Sequence, residues 1–302
     1  MNKIICFDVG GTFIKYAIID EAGTIHFKSK NPTPKSNCNE TIPILMESLV
    51  REMSCHFHIN GIGISTAGNV DPVKGEIIFA SENIPGYTGA QLSKVLFDKL
   101  KLPCKVENDV NAAALGESWM GAGKHTSNFV CLTLGTGIGG AIIAEGKLIK
   151  GIKNGSGEIG HMVIVENGVP CGCGGSGCYE RYASTSALVD AYEKAAGIET
   201  GSLDGKIVFN KVLAKDPVAI NVYKTFIQHV VTGLVNLTYL LDPGLILIGG
   251  GISEAGNTFF EDLNREFSLR VMPSYKNHTH IKKAMLGNDA GLLGACKIAL
   301  NN

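Results

Sequence analysis

The chain opens on a short apolar run, Ile4–Phe7, stopped by Asp8. Gly10 and Gly11 follow, and a second apolar run, Ile14–Ile19, returns. Runs of this length bounded by glycine read as strand, tight turn, strand. Ala22–Thr24 makes another turn before a strand in TIHFKS. Residues 31–39 are polar and carry prolines, which predicts a loop. From Thr41 to His56 the residues Ile44, Leu45, Leu49 and Val50 recur at helical spacing, which predicts an amphipathic helix. A buried strand is expected at Gly61–Ser65, running into the polar turn STAGNVDP, then a helix at Leu92–Leu100. The strand Cys104–Val106 ends at Glu107, Asn108 and Asp109, and the small-residue helix VNAAALGESWMGAG follows.

Residues 129–149 repeat the opening. CFDVGGTFIKYAIIDEAGTI and CLTLGTGIGGAIIAEGKLI share a cysteine-bearing apolar strand, a glycine turn, an apolar return strand and a second glycine turn. This is a duplication of half-molecules, and it suggests two like α/β domains facing a cleft. Further on, helices are expected at Thr185–Ala196, Pro217–Leu241, Thr258–Leu269 and Gly291–Leu300. Strands are expected at LILIGGG, ending in Gly249, Gly250 and Gly251, and at IKKAML.

Composition narrows the class. With 302 residues, 45% hydrophobic and 18% charged, the chain has the make-up of a compact globular protein. A formal net charge of −1 and the lack of a recognisable module argue against nucleic acid as a partner. No apolar run reaches the roughly 20 residues that span a membrane. The first residues run straight into a strand, with no signal peptide. The nine cysteines are an odd number and do not read as a secreted disulfide scaffold. Cys6, Cys104 and Cys131 in strand-like runs, and Cys296 in a helical one, read as small buried hydrophobes. Cys38 and Cys55 carry no signal. A reducing cytoplasm fits this usage.

Three stretches carry candidate chemistry. In GEIGHMVIVENGVPCGCGGSGCYE, His161 precedes Cys171, Cys173 and Cys178, with carboxylates at Glu158 and Glu180. One imidazole and three thiolates match tetrahedral zinc, and four protein ligands leave no open position, so such an ion is structural. A redox or disulfide loop is the other reading. GTGIGG at 135–140 satisfies the dinucleotide-binding pattern, but a strand follows it where that fold needs a helix. The glycine turns at Gly10–Gly11 and Gly135–Gly137 are better read as phosphate-binding concavities. Thr12, Lys15 and Thr136 stand beside them, and Asp8 is placed to orient a hydrated Mg²⁺. Plain hairpin turns are the alternative. Asn108–Asp109 stands at a strand end before a helix. N-capping explains such an aspartate; so does a general base that takes a proton from an attacking hydroxyl. Asn108 offers both donor and acceptor to a sugar hydroxyl.

Taken in order, these motifs resemble the ROK family of sugar kinases and related repressors, over essentially the whole length. They are D-x-G-G-T-x-x-K at Asp8–Lys15, E-N-D at Glu107–Asp109, L-G-T-G-I-G-G at Leu134–Gly140, E-x-G-H at Glu158–His161, the cysteine knuckle Cys171–Glu180 and I-G-G-G at Ile248–Gly251. The resemblance implies a two-domain actin-like, hexokinase-like ATPase fold with its active site in the interdomain cleft. The expected domains are 1–108 with 289–302, and a larger 109–288 carrying the knuckle. It implies Asp109 as catalytic base and Asn108, Glu158, His161 and Glu180 as sugar ligands, with Ser65, Thr66, Ala67 and Gly68 in the sugar-side loop. Gly10, Gly11, Thr12, Gly135, Thr136 and Gly137 are implied as phosphate contacts, and Gly249–Gly251 as the adenosine side. ATP, Mg²⁺ and structural zinc are the implied cofactors, and a homodimer the implied assembly. The implied activity is phosphorylation of a hexose hydroxyl, at O6 of a glucose-type sugar, a β-glucoside or N-acetylmannosamine. A sugar-sensing regulator without catalysis and an actin-like filament or chaperone ATPase are the competing classes. The first predicts loss of Asp109 or an added DNA-binding segment, and the second has no use for the knuckle.

Overall fold

The computed structural model describes residues 2–301. Its strands are β1 (Lys3–Val9), β2 (Phe13–Asp20), β3 (Ile25–Pro32), β4 (Gly61–Thr66), β5 (Asn69–Asp71), β6 (Glu76–Phe79), β7 (Cys104–Asn108), β8 (Phe129–Leu134), β9 (Ile138–Ala144), β10 (Lys147–Leu148), β11 (Leu245–Gly249) and β12 (His280–Lys283). Its α-helices are α1 (Cys38–Ser54), α2 (Leu92–Leu100), α3 (Asp109–Met120), α4 (Glu180–Ala183), α5 (Thr185–Ala196), α6 (Gly205–Leu213), α7 (Pro217–Leu241), α8 (Asn257–Arg270) and α9 (Ala290–Leu300).

The duplication is present in three dimensions. One sheet runs β3-β2-β1-β4-β7 and the other β10-β9-β8-β11-β12. In each, an antiparallel three-stranded meander is extended by two parallel strands. The central parallel strands β4 and β11 are buried along nearly their whole length and are largely apolar. Strand β3 instead alternates half-buried and exposed residues along an edge.

By contact the chain forms two compact units, Met1–His125 with Lys150–Ser156 and Leu286–Asn302, and Thr126–Ile149 with Gly157–Met285. The first boundary therefore lies beyond α3, one helix later than the expected residue 108. The reason is the packing of α3 on α9. Gly116 of α3 lies against the Ala290 carbonyl, and Gly294 of α9 against the Ala112 carbonyl, with no room for a Cβ at either. Gly294→Ala is expected to overpack this crossing and cost roughly 1–3 kcal/mol. A thermal melt showing the wild-type Tm would contradict it.

Local departures have simple causes. Pairing of β3 with β2 continues to Phe13↔Pro32, so the loop expected at 31–39 shrinks to 33–37. The turn expected in STAGNVDP is the end of β4 followed by β5, which pairs with β6. Helix α6 was not predicted by periodicity; Asp204 caps it by accepting from the Ile207 N–H. Cys6, Cys131 and Cys296 are buried, as is Cys38, and Cys104 is half-buried.

Candidate active site and metal centre

In the first unit, β7 delivers Glu107 and Asn108 to the start of α3. The cap of that helix is Asn108, whose Oδ1 accepts from the N–H groups of Val110 and Asn111 at 3.0 and 3.2 Å. Asp109 is thereby freed from capping and stands as the first helical residue. Asn108 Nδ2 donates to Asp109 Oδ1 at 2.9 Å and to the Gly68 carbonyl at 3.0 Å. Its side chain is fully engaged within the protein, which limits the expected role as a sugar ligand to a reorganised cap. Asp109 Oδ1 also accepts from the Val110 N–H at 2.9 Å. Burial, with the Asp8 carboxylate nearby adding to it, pushes the Asp109 carboxyl up to about 6.

Asp8 ends β1 between two donors. Ser65 Oγ donates to Oδ1 at 3.0 Å and Lys15 Nζ to Oδ2 at 3.1 Å. Lys15 is thus held by Asp8 instead of standing free for a phosphate. Ser65 and Thr66 have no exposed surface, and the Thr66 hydroxyl pairs with the Tyr87 hydroxyl at 3.1 Å. Their position in a buried parallel strand takes both hydroxyls away from any sugar. Of the expected sugar-side loop, Ala67 and Gly68 remain. Gly68 has φ +105°, and a Cβ there would run into the Phe79 carbonyl.

The two glycine turns each spend one N–H on themselves. Gly10 donates to the Phe13 carbonyl at 3.1 Å and Gly135 to the Gly137 carbonyl at 3.0 Å. The candidate phosphate donors narrow to the N–H groups of Gly11, Thr12, Thr136 and Gly137. In the second unit, Thr185 holds the turn from behind, its N–H donating to the Gly135 carbonyl at 2.9 Å and its Oγ1 to the Leu134 carbonyl at 3.3 Å. Gly250 packs against Leu134, with φ +86° and no room for a Cβ, while a Cβ on Gly251 would meet nothing within 4 Å. The triple glycine therefore lies beside the second glycine turn.

Glu158, exposed, opens a short 3₁₀ turn over Ile159–His161. Gly157 and Gly160 let that turn lie flat on β9, against the carbonyls of Gly140 and Ile138. The ligating atoms of His161, Cys171, Cys173 and Cys178 lie within 4.8 Å of one another. Cys173 Sγ is 3.5 Å from Cys178 Sγ, and Cys171 Sγ is 3.7 Å from His161 Nδ1. Zn–S and Zn–N bonds of roughly 2.3 and 2.0 Å place tetrahedral neighbours about 3.5–3.8 Å apart, so the four donors fit one zinc ion. Burial pushes the Cys178 thiol up to about 12 and raises Cys171, whereas the Gly175 N–H lowers Cys173. Glu180 Oε1 accepts from Cys171 at 3.2 Å and lies 3.7 Å from His161 Nδ1. Glu180 also reaches the phosphate turn: a Cβ on Gly137 would stand 2.5 Å from its Oε2.

The knuckle is anchored by residues that no motif flagged. Tyr179 is fully buried and donates to the Val230 carbonyl of α7 at 2.7 Å, with its ring against Gly233. The Tyr182 hydroxyl accepts from the Val169 N–H at 2.7 Å, and its ring meets His229 edge-on. Lys150, which forms a 2.6 Å ion pair with Glu107 of the E-N-D motif, belongs to no motif. An aromatic in a helix and a lone lysine carry no periodic signal.

Paired sheets of matching order, each with a glycine turn after its first strand, define the actin-like ATPase class. A profile of the ROK family matches residues 4–302. The chain is 36% identical to a glucokinase of Halalkalibacterium halodurans, over 95% of this chain and 92% of that one. It is 34% identical to a β-glucoside kinase of Listeria innocua, over 97% and 96%. Among solved structures, a ROK family glucokinase from Streptomyces griseus in complex with glucose and AMPPNP superimposes with a TM-score of 0.85 at 32% identity, covering 100% of both chains. The chain belongs to the ROK family.

Proposed function

We propose that this protein is an ATP-dependent hexose kinase that transfers the γ-phosphoryl group to O6 of a glucose-type sugar, a β-glucoside or N-acetylmannosamine. The observation that carries the reading is Asp109. It is a carboxyl released from capping by Asn108 and tuned to about 6, so that it is ionised yet basic near neutral pH. Likeness to glucokinases and β-glucoside kinases along nearly the whole length supports it.

In this reading Asp109 accepts the proton of the attacking hydroxyl as it bonds to the γ-phosphorus and the nucleoside diphosphate leaves. Ala67, Gly68, Glu158, His161 and Glu180 hold the sugar, and Asn108 orients Asp109. The free N–H groups of Gly11, Thr12, Thr136 and Gly137 take phosphate oxygens, and Gly249–Gly251 border the adenosine. Asp8 suits a hydrated Mg²⁺, which keeps several waters and takes few carboxylates; Ser65 and Lys15 fix its orientation. His161, Cys171, Cys173 and Cys178 would hold a zinc ion, which would supply no chemistry to the transfer and would fix ligand geometry. Because His161 Nδ1 faces Cys171, ligation through Nδ1 would leave Nε2 as a donor of defined tautomer for the sugar. A homodimer is the proposed assembly, on family likeness. Among the described residues no helix is long and apolar enough to cross a membrane.

The test is ADP release over a panel of glucose, N-acetylmannosamine, fructose and β-glucosides. Turnover on at least one is expected, and none on any would sink the reading. The active sugar should show kcat/KM with an acid limb at about pH 6, because the base works only when ionised. A limb near the ordinary carboxylate range would place the base elsewhere.

A further inference from the structure

Asp109 is held by Asn108, and Asn108 in turn is held by Glu107. Glu107 is 3% exposed, and its carboxylate is saturated. Oε1 accepts from the Asn108 N–H and from Asn111 Nδ2, both at 3.1 Å, and Oε2 takes Lys150 Nζ at 2.6 Å. Asn111 is also buried and sits on the first turn of α3. A carboxylate this deep needs a partner of opposite charge, and Lys150 supplies it.

The route by which Lys150 arrives is unusual. The chain before it, Thr126–Ile149, and after it, from Gly157, belongs to the second unit. Only Lys150–Ser156 joins the first unit. This excursion is closed on itself, with the Ser156 N–H donating to the Lys150 carbonyl at 3.0 Å and Gly151 turning at φ +71°. No helix or strand holds it. Among the described residues its one side-chain tie is the ion pair to Glu107. The segment thus brings a cation to the one buried carboxylate beneath the Asn108–Asp109 corner.

We infer that Lys150 is a positioning residue for Asp109, acting through Glu107 and Asn108. The series runs from the Lys150 ammonium to the Glu107 carboxylate, which accepts from the Asn108 main-chain N–H, and the Asn108 side-chain amide then donates to Asp109 Oδ1. Without the ammonium, Glu107 is a buried carboxylate short of a cation. The carboxylate then turns toward water, which loosens its hold on the Asn108 N–H and Asn111 Nδ2. The cap shifts, and with it the carboxyl that must meet the sugar hydroxyl. The inference rests on Asp109 being the base.

The experiment uses the full chain with its best sugar. Lys150→Met is expected to lower kcat by about 10–100-fold, as small misplacements of a reacting group do, with the KM for ATP unchanged. Lys150→Arg restores most of kcat, because a guanidinium also reaches the carboxylate. Glu107→Gln retains the acceptor for Asn108 and Asn111 but removes the charge. It should lose kcat less than Lys150→Met, and the double variant should lose no more than Lys150→Met alone. Lys150→Gln, which keeps one donor, serves if the methionine variant fails to fold. Wild-type kcat in both neutral variants overturns the inference. So does a fall in Tm with kcat per folded molecule unchanged, or losses that add in the double variant. Absence of sugar turnover by the wild-type protein would instead condemn the kinase reading.

Discussion

Asp109→Asn is expected to lower kcat by about 10²–10⁴-fold while sugar binding survives. The substitution is nearly isosteric. The amide oxygen can still accept from the Val110 N–H and from Asn108 Nδ2, the two bonds that fix the carboxyl in the parent. What is lost is the capacity to take a proton. The same change should leave the protein at least as stable at neutral pH. The folded pKa of Asp109 is raised above its unfolded value, so ionisation in the fold costs stability. That cost is absent below about pH 4, grows as pH rises, and is complete above about pH 6, and asparagine avoids it. Isothermal titration with sugar, turnover and a melt at pH 7.5 test all three statements. Wild-type turnover would remove Asp109 from the chemistry. A large loss of stability would show its role to be structural.

Cys173→Ala is expected to empty the metal site and weaken sugar binding by about tenfold or more, as loss of support around a metal ligand does. Cys173 is the ligand to change because its side chain is exposed, whereas Cys171 and Cys178 are buried and their loss would mix metal release with a packing defect. Elemental analysis should give about one zinc per parent chain and little in the variant. The sugar KM should rise more than kcat falls, because His161 and Glu180 lose their fixed positions while Asp109, in the other unit, keeps its cap. A zinc-free variant with parental sugar kinetics would detach the knuckle from the substrate.

The halves of the fold were legible because each is announced locally, by apolar strands separated by glycine turns. The Cys/His cluster was legible for the same reason: three of its four residues lie between residues 171 and 178. What escaped depends on burial and on distant pairing. Ser65 reads as the end of a buried strand and Thr66 as the start of a polar turn, but both finish β4 and are fully buried. Asp109 reads as a helix cap until the bonds of Asn108 are seen. Lys15 reads as a free phosphate ligand because its neighbour Asp8 lies across a hairpin, at register Asp8↔Lys15. Lys150 and Glu107 are joined by a contact over a stretch with no repeating pattern, and composition offers no hint of it. The early domain boundary failed because the glycines of α3 and α9 mark a helix crossing that periodicity does not register.

The matching order of the two sheets means that the same slot in each half, between the third and fourth strands, holds very different cargo. In the first half it holds α1 alone; in the second it holds the knuckle and α4–α7 before β11 begins. Insertion at that point leaves strand pairing untouched, since both flanking strands keep their neighbours. That slot can therefore take up length or exchange sequence without disturbing the sheet beside it, and residues 157–241 form one segment that could be grafted as a unit between relatives.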